Sequence, residues 1–320
     1  APAIFGYFPS LESSPPEAGP ENKHHQSNEE EAKGTPPHPP KKRVTPVELT
    51  YRNRANNLAA QTKTHIYLWP APALGPYVAH YTLCPGSGAP LLEPQAPPPL
   101  TILPDASGCL VFTRSEEALD GLLFGPSSRA VQVDNDLETG PLRFFIEFRP
   151  GGLSAFTHIP LWELTDQILP LPLGEQSLDR MVQSCWRQAA DLDDFIQAID
   201  AGLCAQLNGD LKFAGLLAQF LAGQGSREPL ASANYSPRHL ARLFRSKCGL
   251  SPKGLERICR VNAAVGRMGQ DHTLSLTRLA QELGYFDQAH FIHDFKAVCG
   301  VTPGAYRASL SDFYNEPLKF

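Results

Sequence analysis

A chain of 320 residues, 42% of them apolar, is long enough for about two domains of ~100–150 residues, each with its own core. Its charge is divided: residues 208–312 carry 13 Lys/Arg against 8 Asp/Glu, a net +5 within a protein of net −5, and a basic block on an acidic chain points to a polyanionic partner. The seven cysteines (Cys84, Cys109, Cys185, Cys204, Cys248, Cys259 and Cys299) include no Cys-x-x-Cys pair, which excludes a zinc knuckle or a disulfide framework, and the chain has neither signal-peptide features nor an apolar run of ~18 residues, so a cytoplasmic protein with no membrane partner is expected.

Residues 1–63 hold ten prolines by position 46, an acidic clump at Glu29, Glu30 and Glu31, and a basic run at Lys41, Lys42 and Arg43. With so few apolar side chains to offset the cost of ordering, the segment reads as a disordered or loosely attached extension. A metal at His24 and His25, or a DNA contact by the basic run, is the weaker alternative.

From residue 64 to about 175 the pattern changes to short runs with period-two alternation. Tyr77, Ala79, Tyr81 and Leu83 alternate with Val78, His80 and Thr82; Leu142, Phe144, Ile146 and Phe148 alternate with Arg143, Phe145, Glu147 and Arg149. Bounded by turn segments such as Pro85-Gly-Ser-Gly88 and Arg149-Pro-Gly-Gly152, such half-buried strands predict a β-barrel or β-sandwich, cupin-like in outline, that could hold a small organic effector. Tyr81, Phe112 or Phe144 is its candidate contact, the alternative being that these aromatics are only core. Over 176–207, taken as a helical linker, Leu192, Phe195, Ile196, Ile199 and Leu203 form one apolar stripe, either a dimer seam or a face packed on the helix around Met181 and Val182.

Within 208–312 the chain repeats itself. Phe244-Arg-Ser-Lys-Cys-Gly-Leu-Ser-Pro252 lies over Phe295-Lys-Ala-Val-Cys-Gly-Val-Thr-Pro303 at an offset of 51, which also aligns Leu240 with Phe291, His239 with His290 and Tyr235 with Phe286. Each copy predicts a helix, a turn and a second helix. In the first, Ser236 caps, Pro237 occupies the first helical position and Gly249 ends the helix; in the second, Ser275 caps a helix bearing Leu276, Leu279, Ala280 and Leu283, Gly284 stops it, and Asp287 caps the next.

The second helix of each copy carries the chemistry. On the first, Leu240, Leu243 and Phe244 form a buried stripe opposite Arg238, Arg242 and Arg245; with Lys247 the segment carries four cations and no acid. Arginines on such a face, set in a major groove, offer bidentate donors to guanine O6 and N7 and clamp phosphates. The equivalent helix of the second copy has Lys296 against Asp287 and Asp294, so the first copy is expected to contribute more to binding.

The run Ser236-Pro-Arg-His-Leu-Ala-Arg-Leu-Phe-Arg245, then Gly249-Leu-Ser-Pro252, Leu279-Ala-Gln-Glu-Leu-Gly-Tyr-Phe-Asp-Gln-Ala-His-Phe291 and Gly300-Val-Thr-Pro-Gly-Ala-Tyr-Arg307, resembles the DNA-binding region of the AraC/XylS family of bacterial transcription regulators over about 100 residues. The resemblance implies an all-α domain of two helix-turn-helix units joined by a long helix around Ser251–Met268, behind an α+β architecture whose N-terminal part is a sensor. It implies double-stranded DNA and RNA polymerase as partners, with a homodimer as a further one. It places base reading on Arg238, Ala241 and Arg242 and on Gln288, Ala289, Ile292 and His293, with Ser236, His239, Arg245, Lys247 and Lys296 completing the interface. Tyr67, Pro76-Tyr-Val78, Tyr81, Leu103-Pro-Asp-Ala-Ser-Gly-Cys109, Phe148-Arg-Pro-Gly-Gly-Leu-Ser-Ala-Phe156 and Glu163-Leu-Thr-Asp166 resemble the landmarks of a less studied sensor branch of that family, from which no ligand follows.

Three departures stand out. The element before Ser236 is compressed to Pro229-Leu-Ala-Ser-Ala-Asn-Tyr235, with Asn234 where the family has glycine, so a short first helix is expected. His293 stands where arginine is common, and Cys109 where an acid is frequent. Two other classes were weighed. A metal-dependent cupin-like enzyme needs clustered ligands, yet His65, His80 and His158 are scattered in sequence, and no nucleophile elbow or phosphate-binding glycine loop is present, so no catalytic residue, metal site or cofactor is expected. A protein-interaction module is the remaining alternative.

Overall fold

The alternating aromatic segments do form antiparallel strands. The computed structural model describes residues 50–86, 100–115, 118–133, 140–223, 225–233, 235–271 and 273–308. Among the described residues the strands are β1 (Leu58–Gln61), β2 (Ile66–Leu68), β3 (Val78–Cys84), β4 (Leu100–Ile102), β5 (Cys109–Arg114), β6 (Leu119–Phe124), β7 (Val131–Val133), β8 (Arg143–Phe148) and β9 (Ile168–Pro170). Seven pair in the order β1-β2-β3-β8-β5-β6-β9, and β4 pairs with β7 as a separate ribbon. The sheet is open, since β1 and β9 stand at opposite edges. The expected closed barrel is therefore not what the described strands make: closure requires the first and last strands to pair, and here helices cover one face instead.

Residues opposed across antiparallel strands share a face. Tyr81, Ile146 and Leu110 form one row, and Leu83, Phe144 and Phe112 the next; His80, Glu147 and Cys109 form a row on the other face, followed by Thr82, Phe145 and Val111. The alternation predicts half-buried strands, yet every residue of β3 and β8 is buried, because both faces are covered.

On the first face lie α1 (Leu161–Leu164), α2 (Leu171–Gly174), α3 (Gln176–Gln188) and α4 (Leu192–Gln206). The stripe Leu192, Phe195, Ile196, Ile199 and Leu203 is buried in the same core as the sheet. Phe195 meets Phe144 edge-on at 5.0 Å and Trp186 at 5.2 Å, and a Cβ on Gly202 would lie 2.5 Å from Met181 Sδ, so α3 and α4 touch closely. The segment 176–207, expected as a linker, thus packs into the core of the sheet, and the stripe is used internally rather than as a dimer seam. An apolar helix face takes the nearest apolar surface, which here is the sheet. Tyr81 donates to Asp200 Oδ1 at 2.7 Å, tying β3 to α4.

The extension boundary at 63 also shifts. β1 belongs to the sheet, and Asp193, almost wholly buried, accepts from the backbone N–H groups of Arg52 and Arg54, both at 2.6 Å, while Asp191 pairs with both guanidinium groups. Residues 1–49, with His24, His25, Lys41, Lys42 and Arg43, lie outside the described residues.

The remainder is helical: α5 (Leu211–Ala222), α6 (Glu228–Ser232), α7 (Pro237–Cys248), α8 (Pro252–Gln270), α9 (Leu276–Glu282), α10 (Gln288–Cys299) and α11 (Pro303–Ala308). Two separate cores form. Phe213, Leu217, Phe220, Leu240, Phe244 and Leu255 make one, and Val261, Met268, Leu279, Phe291, Phe295 and Tyr306 the other, so α8 contributes to both. Among the described residues no helix is long and apolar enough to cross a membrane.

Candidate nucleic-acid interface

Helix α7 begins where Ser236 Oγ accepts from the His239 N–H at 3.2 Å and ends at Gly249, whose φ of 77° is left-handed and whose N–H reaches the Arg245 carbonyl at 2.9 Å. Its orientation is set from beneath. Phe244 is fully buried and meets Phe213 and Phe220 edge-on, each at 5.5 Å, with Leu240 and Cys248 buried beside it. The opposite face is thereby turned to solvent, and Arg238, Arg242 and Arg245 are all exposed there, with Ala241 half-buried at its edge. His239 stacks on Tyr235 at 4.9 Å, and its Nδ1 lies 3.4 Å from Arg242 Nη2.

Lys247 does not join them. Nine residues past Arg238 on a helix of ~3.6 residues per turn, it falls on the opposite side. It is half-buried in a cleft of about 310 Å³ that it shares with Ser154, Thr157, His158, Asn208, Asp210 and Ser246. Counting cations along the segment concealed this difference of face.

Helix α10 is built the same way. Asp287 Oδ1 accepts from the His290 N–H at 2.7 Å, and Gly300 closes the helix at φ 76°. Phe291, Phe295 and Val298 are buried; Ala289, His293 and Lys296 are exposed on the outer side, with Gln288 and Ile292 half-buried between them. Thr277 Oγ1 donates to Gln288 Oε1 at 2.6 Å, linking α9 to the first turn of α10.

Asp294 departs from expectation. It points inward, only 4% exposed, with its Oδ1 3.2 Å from Arg257 Nε of α8 and its Oδ2 3.7 Å from His290 Nε2. The acidic balance counted for this helix therefore overstates what a phosphate backbone would meet. The signal was present in the spacing: Phe291, Asp294, Phe295 and Val298 fall at i, i+3, i+4 and i+7, on the buried stripe. Its partner Arg257 was not singled out by sequence reasoning.

The helices in front of these two differ. The first, α6, has five residues, in keeping with the compressed element read from the sequence, and the second, α9, has seven. Ser275 does precede α9, but its hydroxyl makes no capping bond. Gly284 is left-handed at φ 72°, as the stop signal required.

The aromatic residues proposed as effector contacts are placed differently. Tyr81, Phe112 and Phe144 are fully buried on the face that packs against α4 and belong to the core there. The opposite face gathers residues that are scattered in sequence. His65 stacks on Tyr67 at 5.7 Å, Tyr67 meets His80 at 5.6 Å, and His80 is aligned with Glu147 and Cys109. Burial, with a contribution from Arg149, pushes the His80 imidazole down to about 3, so it is neutral at physiological pH; burial and Glu147 push the Cys109 thiol up. His158 lies apart, in the cleft with Lys247. Among the described residues no group of three or more His, Cys, Asp or Glu side chains is placed to hold a metal ion.

The repeat thus sets two capped helices in equivalent places, α7 turning three arginines outward and α10 a lysine and a histidine, which is the arrangement of a helix-turn-helix protein. Residues 230–309 match a family model described as a helix-turn-helix domain, and residues 67–170 match a domain of unknown function, DUF6597. The former match falls on the region whose motifs resemble the AraC/XylS family. It is 39% identical over 75 residues to the HTH-type transcriptional regulator GlxA of Rhizobium meliloti (strain 1021), an alignment covering 23% of each protein, so the chain spans about a quarter of that relative's length. Structures of ToxT from Vibrio cholerae are similar at 10% identity over 66% of this chain and 90% of that one, with a TM-score of 0.34, and, for a form bound to an unsaturated fatty acid, at 13% identity over 66% and 86%, with a TM-score of 0.31. Similarity of that strength supports no inference about ligands.

Proposed function

We propose that the chain is a sequence-specific, DNA-binding transcriptional regulator rather than an enzyme. In this reading α6–α7 and α9–α10 are two helix-turn-helix units joined by α8, residues 208–312 bind double-stranded DNA in the cytoplasm, and RNA polymerase is the partner whose activity is altered. The observation that carries it is the row of exposed guanidinium groups at Arg238, Arg242 and Arg245, held outward by the buried Phe244 on a helix with no acid of its own. The part of the chain from residue 50 to 207, in which sheet and helices share a core, is the regulatory domain and responds to a small organic effector.

Selection of bound duplexes from a random pool by the full chain tests this reading. It is expected to enrich one motif, with affinity falling as salt rises at a slope of about −0.9 per phosphate contact, because each contact releases condensed counterions. Recovery of unenriched sequence, or affinity indifferent to salt, would contradict the assignment.

A further inference from the structure

The N-terminal domain meets the ends of α7 and α10 at nearly equivalent points of the repeat. Thr165 Oγ1 lies 3.1 Å from the Gly249 carbonyl and 2.9 Å from the Leu161 carbonyl, its hydroxyl shared between them, and the Ala130 N–H donates to the Val298 carbonyl at 2.7 Å. Carbonyls at a helix C-terminus have no partner within the helix. Here the N-terminal domain supplies one at each helix.

Both donors belong to one tied unit. Asp166 accepts from the Ser128 N–H at 2.8 Å and the Ser128 hydroxyl at 2.6 Å, and its own N–H donates to the Pro126 carbonyl at 2.9 Å. Asp166 holds a left-handed φ of 59°, a conformation that non-glycine residues adopt only where their surroundings fix it. The contact is close: a Cβ on Gly249 would sit 2.3 Å from Thr165 Oγ1 and 3.3 Å from Pro126 Cγ. A second segment reinforces it. Asn262 Nδ2 of α8 donates to the Pro104 carbonyl at 2.7 Å, Ala106 lies in the core of the first helical unit, and Leu103 packs against the core of the second. The segments Leu103–Cys109 and Glu163–Asp166, whose motifs had no evident use, are therefore the ones that grip the helices.

We propose that Thr165, Asp166 and Ser128 are positioning residues of the DNA interface: together they yoke the ends of α7 and α10 and so fix the separation and angle at which the two helices meet DNA. This rests on the reading of α7 and α10 as recognition helices. Two readers held rigidly distinguish operators by spacing, since one inserted base pair moves the second segment by about 3.4 Å and rotates it by roughly 35°.

The test uses the full chain and the operator that the wild type selects, with and without one base pair inserted between the two contacted segments. The wild type is expected to lose about tenfold or more in affinity on insertion, an amount comparable to a mismatched base pair. Thr165→Val and Asp166→Ala are expected to bind both operators within about threefold of each other; a role in stability alone would weaken both operators equally and leave the ratio unchanged. In the DNA-free protein, the Ala130 amide should be protected from hydrogen exchange in the wild type and exchange at least about tenfold faster in Asp166→Ala. Should Asp166→Ala not fold, Ser128→Ala, which removes only the half-buried hydroxyl that donates to Asp166, replaces it. An unchanged spacing ratio in variants that remain folded, or unchanged protection of Ala130, overturns the yoke. A wild type without sequence preference would instead overturn the DNA reading itself.

Discussion

Phe244→Ala is expected to lower stability by about 3–5 kcal/mol, the usual cost of deleting a fully buried phenylalanine, and to abolish specific DNA binding. The ring is 0% exposed and packs against two others, so its removal takes away both its own burial and the edge contacts of Phe213 and Phe220. No neighbour can slide in easily, because the ring lies between α5 and the body of α7. The functional loss follows from the same geometry, since Phe244 is the side chain that turns Arg238, Arg242 and Arg245 outward. Phe295, its counterpart in the repeat, meets Phe291 at 5.7 Å and Tyr306 at 5.5 Å and should behave alike in the second unit. Phe286→Ala is the control: that ring is 91% exposed, and its loss should leave stability within about 0.5 kcal/mol of the wild type. Urea unfolding of the three variants measures this, and a cost below about 1 kcal/mol for Phe244→Ala would contradict the packing described.

Arg242→Ala is expected to weaken binding to the selected operator by about 1–3 kcal/mol, roughly 5- to 150-fold, and by more than His293→Ala. A guanidinium offers a planar fork to guanine, whereas an imidazole offers one bond at most on a given edge. The comparison is closer than the formal charges of the two helices suggest, because Asp294 is withdrawn into its pair with Arg257 and does not oppose DNA from the outer face of α10. Both variants should unfold like the wild type, since both side chains are exposed. A larger loss for His293→Ala, measured at the same salt concentration, would make α10 the principal reader.

The C-terminal half was largely legible in the sequence, because its signals are local. Ser236, Asp287, Gly249, Gly284 and Gly300 act within one helical turn of themselves, and the buried stripes of α7 and α10 repeat at helical spacing. What escaped reading depends on which way a side chain faces in the tertiary structure. Lys247 and Asp294 were counted as charges of their helices, yet one lies against the N-terminal domain and the other against α8. In the sheet domain the alternation of β3 and β8 identifies strands but not the cover on their second face, so it leaves open whether Tyr81, Phe112 and Phe144 meet a ligand or only the core. The closed barrel failed for a related reason: whether β1 meets β9 is decided by the helices from Leu161 to Gln206, whose stripe was legible but whose destination was not. Glu147 is set beside His80 and Cys109 only through strand register, across 67 and 38 positions of sequence, which alternation leaves open.

The central claim is that α7 and α10 read two neighbouring segments of one DNA duplex. Methylation-protection footprinting of guanine N7 on the selected operator, with the full chain bound, tests it most directly. The account predicts two protected major-groove patches on the same face of the duplex, centred about 10–10.5 base pairs apart, with the patch belonging to α7 lost in Arg242→Ala. A single patch, or protection in the minor groove alone, would contradict it.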